Sequence, residues 1–542
     1  MIKMKKALAK LGLVGALALT LVVVTACADN GDSSDGGADE NGNLDHLIVG
    51  IAIEARTLDL HRTNDVGSSQ VSRQIFETLV FQDDDMAIIP GLAHHWELYN
   101  DRVWEFHLNE GVYFHNGQPL TAYDVAATFE RAAESPHIAA ILGMIDVSTI
   151  EVVDDLTIRV GTEEPFAPFL SHLAHAAAGI MNAEDLANAE EPEDPEVLDT
   201  DLDRHPNGTG PFMVVDAREW VSGDQIQLHR FDDYHATIPG RDLPSFSQMT
   251  IRFIGEANAR MVALEAGEIH IDLTPTAENF ARVENTEGLR LESAAGLRTE
   301  YLGMNVEQEY LSNPLVRQAI NYATDVQAII DAIYQGHGAA GQSHLSANVF
   351  GYNPDIEGFP FDVERARELM AEAGFEDGFS VTLHANTERQ DRVDIAQILE
   401  QQLREINIDI TIATFTWPEL LNILDAGEAD MFLIGWTSVT GDGDYGLFPL
   451  FHSSQHGSAG NFTRYNNPEV DALLEAARIS TVTEDRLAYY HRILEILRDD
   501  TPWVVMLQEE PSAFVNYDIV LDGFSINPVG THYLGDITLG SE

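Results

Sequence analysis

Groups able to do covalent chemistry are scarce in this chain. It has one cysteine, Cys27, and its only lysines are Lys3, Lys5, Lys6 and Lys10. Beyond residue 26 there is no amine for a Schiff base, no P-loop lysine and no Ser-x-x-Lys nucleophile pair. One thiol forms no intrachain disulfide and no cysteine metal site. Neither His-Glu-x-x-His nor Gly-x-Ser-x-Gly occurs. Carboxylates are no guide to acid–base catalysis when the chain holds 89 of them. Of 20 histidines, those that suggest a metal or metal chelate are His94-His95 and His107 with His115. Imidazoles spread along a strand are more often hydrogen-bonded structure, and these give no convergent set of three or four ligands. Asp199-Thr200-Asp201-Leu202-Asp203 begins like a calcium loop, but Arg204 stands where the loop needs glycine and no glutamate closes it. A solvated acidic loop is the better expectation for Glu184 to Asp203. The residue types predict a protein that binds rather than reacts, with no catalytic residues, no cofactor and no metal.

Cys27 itself closes the run Val24-Thr25-Ala26-Cys27 after a lysine-bearing start and an apolar stretch from Leu11 to Val24. This is a secretory signal over residues 1–26, too short in its apolar part for a span of about 20 residues. It resembles the lipobox of bacterial lipoproteins, which implies lipidation at Cys27 and an extracytoplasmic, membrane-tethered protein. Residues 27–45 are polar, acidic and glycine-rich, and suit a flexible tether. Cleavage removes all four lysines and leaves 26 basic residues, all arginine, against 89 acidic ones, a formal charge of −63 rather than −59. That charge excludes a nucleic-acid footprint and argues against lying flat on an anionic membrane. Self-repulsion on this scale is relieved when salt shortens the Debye length, and arginine keeps its proton where lysine begins to lose it. The composition suits a saline or alkaline habitat, that of a halophile's acidic proteome.

The elements that must position any site alternate along the chain. Strands are predicted at Leu47–Ala52, Met249–Ile254, Ser380–Ala385, Ile408–Thr414 and Met431–Ile434. A hairpin is predicted from Val103–Leu108 through Asn109-Glu110-Gly111 into Val112–His115. A helix begins after Thr121, with Asp124 completing its cap. Further helices are predicted at Asn258–Glu265, Pro314–Tyr322, Val363–Ala373, Asp391–Glu405, Pro468–Ala477 and Glu484–Arg498. Roughly 500 residues exceed one core, so two or three α/β lobes are expected.

Several blocks together carry a family resemblance. They are Leu92-Ala93-His94-His95-Trp96-Glu97, Trp104 through Gly117, Leu120-Thr121-Ala122-Tyr123-Asp124-Val125 and Gly208-Thr209-Gly210-Pro211-Phe212. Ala257-Asn258-Ala259-Arg260, Gly267-Glu268-Ile269, Tyr301-Leu302-Gly303-Met304-Asn305 and Val316 through Ala323 agree with them. From about residue 45 to the C-terminus the chain resembles the family 5 extracellular solute-binding proteins, the peptide, glutathione and nickel receptors of ATP-driven importers. The resemblance implies a two-lobed, periplasmic-binding-protein-like (class II) α/β fold with an extra subdomain, closing about a hinge. Domain I would take 46–80, 207–296 and 505–542, domain II the insertion 81–206, and domain III 297–504. It also implies a monomer that catalyses nothing and hands its ligand to ABC permease subunits.

The ligand is implied by the same family. In its peptide-binding members a Gly-Trp pair like Gly435-Trp436 lies at the pocket, and three residues after the Trp an aspartate pairs with the peptide ammonium. Here that position is Val439, so the usual amino-terminal anchor is missing; Asp442 and Asp444 are near enough in sequence to leave a substitute open. The run through Gly446-Leu447-Phe448-Pro449-Leu450-Phe451-His452 resembles glutathione-binding members, whose γ-linked ligand carries its amino group elsewhere. A peptide or peptide-like ligand is expected, with Trp436, Thr437, Val439, Asp442, Tyr445 and Trp417 as candidate contacts. Ligand carboxylates favour the two-donor fork of arginine, and Arg389, Arg392, Arg298 and Arg56 are the candidates. A nickel or metal-chelate receptor of the same fold, and a sensory peptide receptor, are the alternatives.

Overall fold

The computed structural model describes residues 44–63, 65–189, 197–457 and 460–540. The signal, Cys27 and all but the end of the tether lie outside the described residues. No helix among the described residues is long and apolar enough to cross a membrane.

Two large mixed sheets organise the chain. The first runs Leu289–Ser293, Ser512–Asn516, Ile271–Asp272, His46–Ile51, Gln248–Phe253, Gln225–Arg230 and Phe212–Met213, with Trp220–Val221 also paired to Gln225–Arg230. Its central strand, His46–Ile51, is parallel to both neighbours. Parallel pairing requires crossovers, and helix Ala257–Glu265 supplies one of them. The second sheet runs Ala339–Ala340, Trp503–Gln508, Arg298–Met304, Met431–Thr437, Phe379–Asn386 and Ile408–Phe415. A smaller sheet of Ala93–Leu98, Val103–Leu108, Thr157–Gly161 and Glu151–Asp154 forms a separate layer covered by helix Ala122–Glu134.

The chain crosses between the two large sheets at 294–297 and again at 509–511. The sequence boundary at 505 therefore falls inside strand Trp503–Gln508, which pairs with Arg298–Met304 and belongs wholly to the second sheet. Two short crossings side by side are the geometry of a hinge.

The family-like sequence blocks hold these layers together. Asp124 accepts from the Thr121 N–H and hydroxyl, both at 2.8 Å, and so caps its helix. Arg260 is 1% exposed. Its guanidinium donates to Asp272 at 2.9 Å and to the Ile254 carbonyl at 2.7 Å, fixing a crossover helix to a strand end. Arg317 likewise donates to the carbonyls of Asp500 and Leu311. Gly208 packs so close to helix Val66–Ile75 that a Cβ there would sit 2.0 Å from the Ile75 carbonyl oxygen. Gly208→Ala is accordingly expected to lower the unfolding free energy by about 1–3 kcal/mol, the range for overpacking a tight contact. Urea denaturation reads it, and an unchanged midpoint would mean the backbone yields there.

Two sequence expectations need correcting. The predicted hairpin does not form, because Val103–Leu108 pairs with the preceding Ala93–Leu98 and with Thr157–Gly161. Residues 112–115 instead turn back on 118–120, through the Tyr113–Pro119 bridge and the bonds from the Phe114 N–H to the Gln118 carbonyl and from the Leu120 N–H to the Val112 carbonyl. Nor is the whole stretch 184–203 a solvated loop. Thr200 caps a helical turn at Asp201–Arg204, and the buried Asp203 carboxylate accepts from Thr57 Oγ1 at 2.5 Å and Arg62 Nη1 at 2.7 Å. Its oxygens are committed to the protein rather than to calcium.

Candidate ligand-binding site

Strand Met431–Thr437 delivers Trp436 and Thr437 to the seam between the lobes, and the turn after it carries Val439. Opposite stands helix Val66–Ile75, N-capped by Asp65, whose carboxylate accepts from the Ser68 N–H. Between them is a cavity of about 110 Å³. Ser69, Arg73, Gln82, His175, Thr437 and Val439 line it, with Asn527 and Thr531 from the C-terminal segment.

The lobes are in contact at and beside the cavity. Gln82 Nε2 donates to the Thr440 carbonyl at 2.7 Å, and the Ala167 N–H to the Arg478 carbonyl at 2.6 Å. The Arg478 guanidinium lies 3.8 Å from the Phe448 ring centroid and 5.1 Å from that of Phe166. A cavity of this size holds a few waters, whereas sites enclosing small ligands run to about 300–1,000 Å³. Admitting a peptide-sized ligand requires the lobes to part about the crossings.

Of the sequence candidates, Thr437 and Val439 line the cavity. Trp436 is half-buried; its indole N–H donates to the Tyr445 carbonyl at 2.9 Å, and the two rings lie 5.4 Å apart. Tyr445 in turn faces His172 across the seam at 6.1 Å. Arg298 donates to Thr437 Oγ1 at 3.2 Å. It also belongs to a charge network with Arg389 and Arg392 around Glu300, Asp391 and Glu509. Those three guanidiniums are thus already engaged by carboxylates.

Asp442 is buried and accepts from Arg486 at 2.7 and 2.9 Å and from Tyr490 Oη at 3.1 Å. Asp444 lies 3.0 Å from Arg478. Burial pushes its carboxyl up to about 6 against the pull of Arg478, and Asp442 adds to the rise. Neither carboxylate lines the cavity, so neither stands in there for the aspartate replaced by Val439. Trp417 is 38% exposed at the start of its helix, and Arg56 is exposed before helix Val66–Ile75; neither lines the cavity.

The residue that sequence reasoning missed is Arg73. It occupies the last turn of a short helix, in Ser72-Arg73-Gln74, where nothing local distinguishes it from a surface residue. Among the described residues, the metal-type grouping is Glu97, Glu105 and His107, with ligand atoms within 4.8 Å of one another. None of the three lines the cavity, and Glu105 is already held by Arg159 at 2.7 Å.

Two α/β lobes joined by paired crossings, with a small cavity shut between them, define a hinged ligand receptor. The sequence matches the model of the bacterial extracellular solute-binding proteins, family 5 (middle) over residues 87–458. The chain belongs to this family, whose members bind solutes for transport and are not enzymes. It is 31% identical to heme-binding protein A of Haemophilus influenzae, over 80% of this chain and 81% of that one. Glutathione-binding protein GsiB of Salmonella paratyphi A is 28% identical, over 86% and 89%. Among solved structures, DppA of Helicobacter pylori, a periplasmic binding protein in complex with the peptide STSA, matches with a TM-score of 0.73 and 26% identity. That match covers 90% of this chain and 98% of DppA.

Proposed function

We propose that this chain is the extracytoplasmic, lipid-anchored substrate-binding component of an ABC importer for peptides or peptide-like ligands, glutathione among them. On this reading Cys27 carries the lipid and residues 28–45 the tether. The lobes close on ligand and the permease takes the closed form. The observation that carries it is the cavity at the lobe seam, with Thr437 and Val439 on one wall and helix Val66–Ile75 on the other. Family relatives named for glutathione and peptide support the ligand class. A ligand touching both walls stabilises closure by its differential affinity for the closed state.

The test is a thermal-shift panel on the full chain in detergent and molar salt. It holds di- to pentapeptides, reduced and oxidised glutathione, hemin, and nickel with histidine. A ligand at about 100 times its Kd adds about 2.7 kcal/mol. We expect a shift with peptides or glutathione, and Trp436→Ala to weaken that ligand at least about tenfold, since Trp436 supports the wall carrying Thr437. Shifts with hemin or nickel–histidine alone would replace the peptide reading. Unchanged affinity in a folded Trp436 variant would move the pocket elsewhere.

A further inference from the structure

The chain has far more carboxylates than arginines, so a cation at the lobe seam without a carboxylate partner stands out. Arg73 is such a residue. Its Nη1 donates to Thr531 Oγ1 at 3.1 Å, while its Nε is buried and has no hydrogen-bond partner. No carboxylate lies within ion-pair distance of it among the described residues, although Arg298, Arg389 and Arg392 each have one or more. Burial brings its pKa down to about 10, and the neighbouring Arg241 adds to the fall, against a weaker pull from the Asp84 carboxylate beyond ion-pair distance. The group is still charged at neutral pH but carries a desolvation cost that Asp84 offsets only in part. Arg241 is stacked between the rings of Phe81 and Tyr533, at 3.7 and 4.1 Å, and its Nη1 also lacks a partner. His175, which lines the same cavity, is held neutral, its pKa lowered to about 3 by burial and by Arg73. The cavity wall thus offers a fork-shaped donor that no carboxylate among the described residues meets in direct contact, Asp84 acting on it only from farther off.

We infer that Arg73 is the anchor for a ligand carboxylate, and that the receptor selects peptide-like acids by their acid end. The missing aspartate at Val439 and the commitment of Asp442 to Arg486 agree with this, because the cavity then lacks a charged anchor for an ammonium group. The anchor stands on the helix Val66–Ile75 wall, with Thr437 and Val439 opposite, so a ligand held by its carboxylate must bridge both lobes. This assignment rests on the peptide-like reading of the cleft.

Isothermal titration of the full chain in detergent tests it, with Ser-Thr-Ser-Ala as free acid and as C-terminal amide, reduced glutathione, and succinate as a bare dicarboxylate. The free acid should bind at least tenfold tighter than the amide. Arg73→Gln should weaken the acid at least tenfold and erase the preference, while Arg73→Lys keeps the preference at reduced affinity. Equal binding of acid and amide to the unmutated protein overturns the anchor and leaves the peptide reading intact; this comparison needs no variant to fold. A folded Arg73→Gln protein that still prefers the acid overturns it as well. Arg73-dependent binding of succinate without binding of either peptide or glutathione keeps the anchor and overturns the peptide reading. No binding of any probe by folded protein overturns both.

Discussion

Between pH 7 and pH 5 the protein is expected to lose of order 10 kcal/mol of stability, in a transition that takes up several protons. His61, His172, His270, His344 and His532 are between 1% and 7% exposed. Burial lowers the pKa to about 4 in His61, His172, His270 and His532 and to about 3 in His344. Arg131 adds to the fall at His61 and Arg73 at His532. Both ring nitrogens of His61 lack hydrogen-bond partners, a state tolerable only for a neutral ring. The folded pKa lies below the unfolded value of about 6.5, so the unfolded chain binds more protons across this window. Stability is complete above pH 6.5 and falls as pH drops toward 4. At pH 5 each group accounts for about 2 kcal/mol, and five together rival the whole stability of a typical domain.

Asp444 works the other way. Its pKa is raised, so the folded state holds the extra proton between about pH 6 and pH 4 and gains stability on acidification. Burial raises Glu509, Asp272 and Asp536 in the same direction, while His115 and His175 add to the five rings on the other side, so the carboxyls offset only part of the loss. Exposed carboxylates titrate near 4 and below, leaving the histidines to dominate above pH 5. Urea unfolding at pH 7, 6, 5.5 and 5 gives the proton uptake from its slope. Stability that stays level or rises down to pH 5 would show that these rings are hydrated or already charged.

The same rings show what the sequence could and could not reveal. Periodicity located elements within a few residues, as for Val363–Ala373 against the observed Val363–Glu372, because an apolar stripe and a cap are local properties. Partner choice is not local. Val103–Leu108 reads as half of a hairpin with Val112–His115, yet its neighbours are Ala93–Leu98, whose residues are mostly exposed, and a strand some 50 residues on. The site divides in the same way. Thr437 and Val439, singled out through the Gly-Trp resemblance, line the seam cavity at and just past a strand end. Arg389 and Arg392 sit after strand Phe379–Asn386, as their spacing suggested. Their carboxylate, Glu300, lies about 90 residues earlier, and no spacing rule announces it. Arg73 is the converse. It stands out because no carboxylate among the described residues lies within ion-pair distance of it, which a sequence does not record.

Glu300→Ala is expected to cost about 3–5 kcal/mol, the range for stranding a buried charge. Glu300 is 2% exposed. It accepts from Arg298 at 2.9 and 2.5 Å and from Arg392 at 3.1, 3.0 and 3.0 Å, with Arg389 at 3.7 Å. Burial would raise its pKa, but Arg298, Arg392 and Arg389 together hold it below the usual carboxylate range. Glu509 is pushed up instead, by burial and by repulsion from Glu300, against the pull of Arg298 and Arg389. With Asp391 the network balances three arginines against three carboxylates, and removing Glu300 leaves Arg392 with Asn386 at 2.9 Å. The facing residue, Gly435, has no side chain to fill in, since in the intact protein a Cβ there would stand 2.4 Å from Glu300 Oε1. Arg298 opens the strand after the first crossing and Glu509 lies in the second, where the Glu509 N–H donates to the Arg298 carbonyl at 3.0 Å. The network therefore ties the two crossings to each other, and its loss should loosen the hinge as well as the second lobe. Urea unfolding of Glu300→Ala, Arg392→Met and Glu300→Leu with Arg392→Met separates the terms. The double variant should lose less than the two single losses combined, because apolar replacement of both charges removes the stranded cation. A Glu300→Ala loss below about 1 kcal/mol would mean that water reaches these guanidiniums and that the crossings are held by backbone alone.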